Sequence, residues 1–83
     1  MSVKHNAKYI EYNKNMKAFA ERLLELRSER GISQAKLAKE LGVSFSVVCY
    51  WETDRSEPTA VNIVKIADYF NVSADYLLGR TEE

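Results

Sequence analysis

The sequence predicts an all-α fold of five helices, and two observations carry that expectation. One is a recurring unit: an apolar residue, a hydroxyl residue, and a second apolar residue four positions beyond the hydroxyl. Ile32, Ser33 and Leu37 form it, as do Val43, Ser44 and Val48, and Val72, Ser73 and Leu77, with Pro58, Thr59 and Ile63 as a looser fourth case. In each, the hydroxyl can accept an unpaired N–H of a first helical turn while the flanking apolar pair closes over it. The other observation concerns residues 44–52, SFSVVCYWE, which have the β-branched and aromatic character of a strand. No second segment could pair with such a strand, and an isolated strand is not stable, so context makes this stretch a helix as well.

The elements follow in order. Phe19, Leu23 and Leu26 sit at helical spacing, Arg27 and Arg30 oppose the dipole in the last turn, and Gly31 provides a left-handed stop. A first helix is therefore expected over about 17–30. The four capped starts place the others at about 34–41, 45–52, 60–70 and 74–78; Gly79 ends the last, and residues 80–83 form a polar tail. The domain thus spans residues 17–79. Residues 1–16 admit two readings. Tyr9, Tyr12, Met16, Phe19, Leu23 and Leu26 follow a 3-4-3-4-3 spacing that would carry the first helix back to about Lys8 and offer a hydrophobic seam. Asn6, Asn13 and Asn15 oppose helix, and Lys4, Lys8 and Lys14 would suit a flexible basic arm. The extended helix is the preferred reading.

Composition narrows the functional classes. A chain of 83 residues buries only about 60% of its unfolded surface, which leaves room for a single core. One cysteine rules out an internal disulfide framework, and no Cys or His cluster has metal-ligand spacing, so neither a metal nor another cofactor is expected. A reducing cytoplasm fits this usage. No apolar run approaches the roughly 18 residues of a membrane span, and the lysine- and asparagine-rich start lacks the apolar stretch of a signal peptide. Nucleophile–base pairs, paired acids and glycine-rich phosphate loops are absent from the pattern, so an enzyme is not expected. The 12 basic and 12 acidic residues divide unevenly: residues 1–39 carry +5 and the remainder −5. Such a dipole favours a polyanion on one surface.

Between the second and third helices only Gly42, Val43 and Ser44 intervene, which is the spacing of a helix-turn-helix. Ala38 lets the two axes approach, and Leu37, Leu41, Val48 and Trp51 supply their shared core. On the third helix Val47, Val48 and Trp51 face inward, while Phe45, Ser46, Cys49 and Tyr50 face outward. The stretches SQAKLAKELGVS and IADYFNVSADYLLG resemble the Cro and phage-repressor (XRE-like) family, and the likeness covers about residues 18–79. The resemblance implies a compact five-helix, lambda-repressor-like DNA-binding domain, acting as a homodimer on a partly palindromic double-stranded operator, and often as a transcriptional repressor. In that family the second helix of the motif enters the major groove while the first crosses the backbone.

Carried over by position, the resemblance puts Phe45, Ser46, Cys49 and Tyr50 at base edges. It puts Gln34, Lys36, Ser44, Thr53, Arg55 and Ser56 at phosphates, with Gln34 also bracing a recognition side chain. Arg27 and Glu52 match a structural salt bridge. The outward helix departs from the family, whose members usually offer Gln, Arg, Lys, Asn, Ser or Thr there. None of its residues makes the bidentate contact of Arg to guanine or Gln to adenine, each worth about 1–3 kcal/mol of discrimination. Phe45 is instead expected on a thymine methyl, with Ser46 and Tyr50 hydrogen-bonding and Cys49 allowing close approach. The rival reading is a protein-interaction module on the same fold, antitoxin-like or partner-binding, with weak or no specific DNA binding.

Overall fold

The computed structural model describes residues 2–83, with side chains from residue 16 onward. It contains α1 (Ser2–Arg30), α2 (Gln34–Leu41), α3 (Phe45–Glu52), α4 (Ala60–Phe70) and α5 (Ala74–Leu77), with no strand among the described residues. The expected helix over 17–30 is the C-terminal part of α1. The seam through Tyr9 and Tyr12 and the lysines of a basic arm concern side chains that lie outside the described residues.

The four hydroxyl-marked starts all form as the sequence indicates. Ser33, Ser44, Thr59 and Ser73 hold extended backbone angles, and their side chains accept the N–H of Lys36, Val47, Asn62 and Tyr76 at 3.0, 3.3, 3.2 and 2.9 Å. Each cap satisfies one of the donors that a first helical turn leaves open. The apolar partners close as well: Leu37, Val48 and Leu77 are fully buried, and Ile32, Val43 and Val72 pack against the core from the side.

All five helices feed one core. Phe19 and Leu23 of α1 meet Trp51 and Val48 of α3, and the Phe19 and Trp51 rings lie edge to face with centroids 6.2 Å apart. Aromatic pairs in this geometry add about 0.5–1.5 kcal/mol beyond their buried area. Ala38, the small residue between α2 and α3, is buried as expected. Two arginines fasten α1 to the far side of the molecule. Arg30 donates to the Tyr69 carbonyl at 3.0 Å and lies over the Tyr69 and Phe70 rings, while Arg22 donates to the Tyr76 carbonyl at 2.6 Å and covers the Tyr76 ring.

Two left-handed residues bracket α3. Gly42 (φ 72°) ends α2 and turns the chain into Ser44, and Lys65 of α4 donates to the Leu41 carbonyl at the same end. Asp54 (φ 59°) follows α3, where the Arg55 N–H returns to the Tyr50 carbonyl at 2.8 Å and the Asp54 N–H to the Trp51 carbonyl. That pairing closes the helix end, yet Asp there bears a left-handed backbone without the freedom of glycine, and it places a negative charge at a negative helix end. Asp54→Gly is expected to raise stability by about 1 kcal/mol. Gly42→Ala, whose new Cβ meets nothing within 4 Å, should lower it by about 1 kcal/mol through the backbone alone. Urea midpoints at unchanged slope would measure both.

Candidate nucleic-acid interface

The outward surface of α3 is set from below by one polar network. Glu52, in the last turn of α3, has a side chain only 4% exposed, and Arg27 of α1 meets it with two parallel bonds, Nε to Oε2 at 2.7 Å and Nη2 to Oε1 at 3.1 Å. The remaining arm of Arg27 donates from Nη1 to the Ile32 carbonyl at 2.8 Å, in the turn leading to α2. Gln34, the first residue of α2, donates from Nε2 to Glu52 Oε1 at 2.9 Å, and its Oε1 accepts the Cys49 thiol at 3.4 Å. A carboxylate can only accept, so Glu52 fixes which end of the Gln34 amide faces it and leaves the carbonyl end for the thiol. The hydrogen-bonded Glu52 carboxylate holds the Arg27 guanidinium above the ordinary arginine value, against the smaller opposing effect of burial. Three helices and a turn are thereby tied at one point.

Above this network Phe45, Ser46 and Tyr50 face outward where the period of α3 puts them. All three are exposed, Phe45 at 53% and Tyr50 at 47%. Cys49, the fourth residue expected on the outward face, is half-buried, and its thiol is directed to the Gln34 side-chain oxygen. Thr53 donates its one hydroxyl hydrogen to the Cys49 carbonyl at 2.9 Å, and its N–H goes to the same carbonyl. In the free protein it therefore caps α3, a local role that its place in the following loop did not reveal. Arg55 and Ser56 are exposed in that loop, and Ser44 is exposed at the start of α3. Lys36 is exposed on α2 beside Glu40 at 3.5 Å, a surface pairing worth about 0.3–0.5 kcal/mol.

Two short helices crossing over a three-residue turn, with the second resting on α1 and exposing its far face, form a helix-turn-helix. A family model described as Helix-turn-helix matches residues 23–77. The chain belongs to the helix-turn-helix family. It is 32% identical over 65 residues to the HTH-type transcriptional regulator ImmR of Bacillus subtilis (strain 168), covering 78% of this chain and 51% of ImmR. It is 40% identical over 60 residues to the cryptic phage CTXphi transcriptional repressor RstR of Vibrio cholerae, covering 72% of this chain and 54% of RstR. The chain thus spans about half the length of these relatives. Among solved structures, the P22 c2 repressor protein in complex with synthetic operator 9T aligns at a TM-score of 0.72 and 33% identity, over 76% of this chain and 96% of that one. The fold is the lambda-repressor-like one that the motif stretches suggested.

The Arg27–Glu52 pairing is present with the bidentate geometry expected of a structural bridge. The contacts of Gln34 to Glu52 and Cys49 follow from the approach of α2 and α3 and leave no trace in local spacing; the signal for the second was the resemblance, which implied that Gln34 braces a recognition side chain. Removing one member of a buried pair leaves the other charge uncompensated. Glu52→Ala is therefore expected to lower stability by about 3 kcal/mol and Gln34→Ala by about 1 kcal/mol, read from chemical denaturation with unchanged slope.

Proposed function

We propose that the chain is the DNA-binding part of a transcriptional regulator, most simply a repressor, that docks α3 in the major groove of a double-stranded operator. The observation that carries this reading is the exposed outer face of α3 within a fold shared at 33% identity with a repressor solved on operator DNA. The names of ImmR and RstR support the regulatory part. Phe45, Ser46 and Tyr50 would meet base edges. Ser44, Lys36, Arg55 and Ser56 would meet the phosphates alongside, joined by the second N–H of Gln34 Nε2, since that nitrogen has two donors and Glu52 takes one. Cys49 serves this face from behind by holding Gln34. Thr53 would support it by closing the end of α3.

A partly palindromic site read by a homodimer completes the proposal. Val61 and Val64 support it, being large apolar side chains exposed one turn apart on α4. Work in the cytoplasm fits the absence, among the described residues, of any helix long and apolar enough to cross a membrane. Among the described residues no group of three or more His, Cys, Asp or Glu is placed to hold a metal ion.

Selection of bound sequences from a random duplex pool, then titration of the winner across salt concentrations, tests this reading. The expected outcome is a pseudo-palindrome whose half-sites lie about one helical turn apart, bound by two chains. Affinity should fall by about tenfold or more between 50 and 200 mM salt. No enrichment, with an affinity flat in salt, would overturn it.

A further inference from the structure

We infer that α3 selects its site through the C5-methyl groups of pyrimidines, read by the Phe45 and Tyr50 rings, and not through hydrogen-bonded pairs with base edges. This inference rests on the DNA-binding reading above and specifies the chemistry of its ligand.

The argument is one of elimination among the polar atoms of α3. Both Glu52 oxygens are engaged, Oε2 by Arg27 and Oε1 by Arg27 and Gln34, so no carboxylate is available for a cytosine amino group. The Cys49 thiol is directed to Gln34 and the Thr53 hydroxyl to the Cys49 carbonyl. No lysine, arginine, glutamine or asparagine occurs anywhere from Phe45 to Glu52, so nothing on the helix presents a bidentate fork to guanine or adenine. What remains outward is the hydroxyl of Ser46, the hydroxyl of Tyr50, and two rings about half exposed. A hydroxyl both donates and accepts, so it satisfies either kind of base edge and separates them poorly.

Apolar contact is then the only discriminating chemistry this face offers, and the major groove holds one apolar group, the methyl on C5 of thymine. A 5-methylcytosine presents the same group on the same ring carbon. The shared ligand is therefore a C5-methylated pyrimidine, and the two sources differ only in the edge beside the methyl. Both rings sit on a helix anchored through Val48, Trp51 and Glu52, so they meet the groove from a fixed seat.

The test starts from the selected duplex and replaces its thymines one at a time by deoxyuridine, which removes the methyl and nothing else. At the contacted positions the expected loss is about fourfold for each methyl covered. Phe45→Ala should bind the thymine and deoxyuridine duplexes alike at one of those positions, whereas Phe45→Leu should keep part of the difference. Phe45 is exposed, so neither variant should unfold the domain, and unchanged urea midpoints would verify this. Exchanging a sensitive T·A pair for C·G and then for 5-methyl-C·G identifies the source. Recovery with the methylated cytosine means that the methyl is what is read, as expected; no recovery means that the edge beside the methyl is read by hydrogen bonding, which would overturn the inference. Equal binding of all deoxyuridine duplexes, or a thymine preference that survives Phe45→Ala, would overturn the inference while leaving DNA binding in place. Failure of the unmodified duplex to bind would overturn both.

Discussion

The pairing of Arg27 with Glu52 decides where α3 points. A charged residue at the end of an eight-residue helix would ordinarily seek water. Here the carboxylate is drawn beneath the helix by a guanidinium that is itself fastened to the Ile32 carbonyl. Two parallel bonds fix an orientation as well as a distance, because a planar fork meets a planar carboxylate in one way. Gln34 then ties the start of α2 to the same oxygen that Arg27 holds. Hydrophobic contact alone would let α3 roll over Val48 and Trp51, since apolar packing is not directional. The network supplies the direction, and the outward set of residues follows from it.

Features governed by local chemistry were legible in the sequence. The starts of α2, α3, α4 and α5 were each marked by a hydroxyl residue between apolar partners, and each cap forms at the marked residue. The conflict over residues 44–52 resolved as helix because a strand needs a partner and a helix does not. The inward residues Val48 and Trp51 and the outward residues Phe45, Ser46 and Tyr50 followed from the helical period. Contacts made across the fold were not legible. Lys65 capping Leu41 and Arg30 on the Tyr69 carbonyl join residues 24 and 39 positions apart. No spacing rule encodes such pairs, because they depend on how completed helices meet. Thr53 carries a second role: the resemblance implied a phosphate contact, and in the free protein its hydroxyl goes to the Cys49 carbonyl at the end of α3.

The division of labour within α3 follows from this. Its polar atoms toward the C-terminal end serve the fold, and its N-terminal and outer positions are left to apolar rings and small hydroxyls. A helix that uses its only charged side chain to secure its own seat has little left for hydrogen-bonded discrimination. It gains a rigid apolar face instead. The positive charge that would meet phosphates lies beside this helix, on α2 and in the loop after α3, at Lys36 and Arg55. Positioning and reading are thus handled by different segments of the motif.

Trp51 is the chain's only tryptophan, and it lies 2% exposed with its ring edge to face against Phe19. The protein therefore carries a single-site optical reporter at the joint between α1 and the helix that would meet DNA. Its emission responds to the seating of α3 itself, without an attached dye and without contributions from a second indole. Loosening of that joint can be followed separately from events at the termini or in α5, which an average over several tryptophans would blur together.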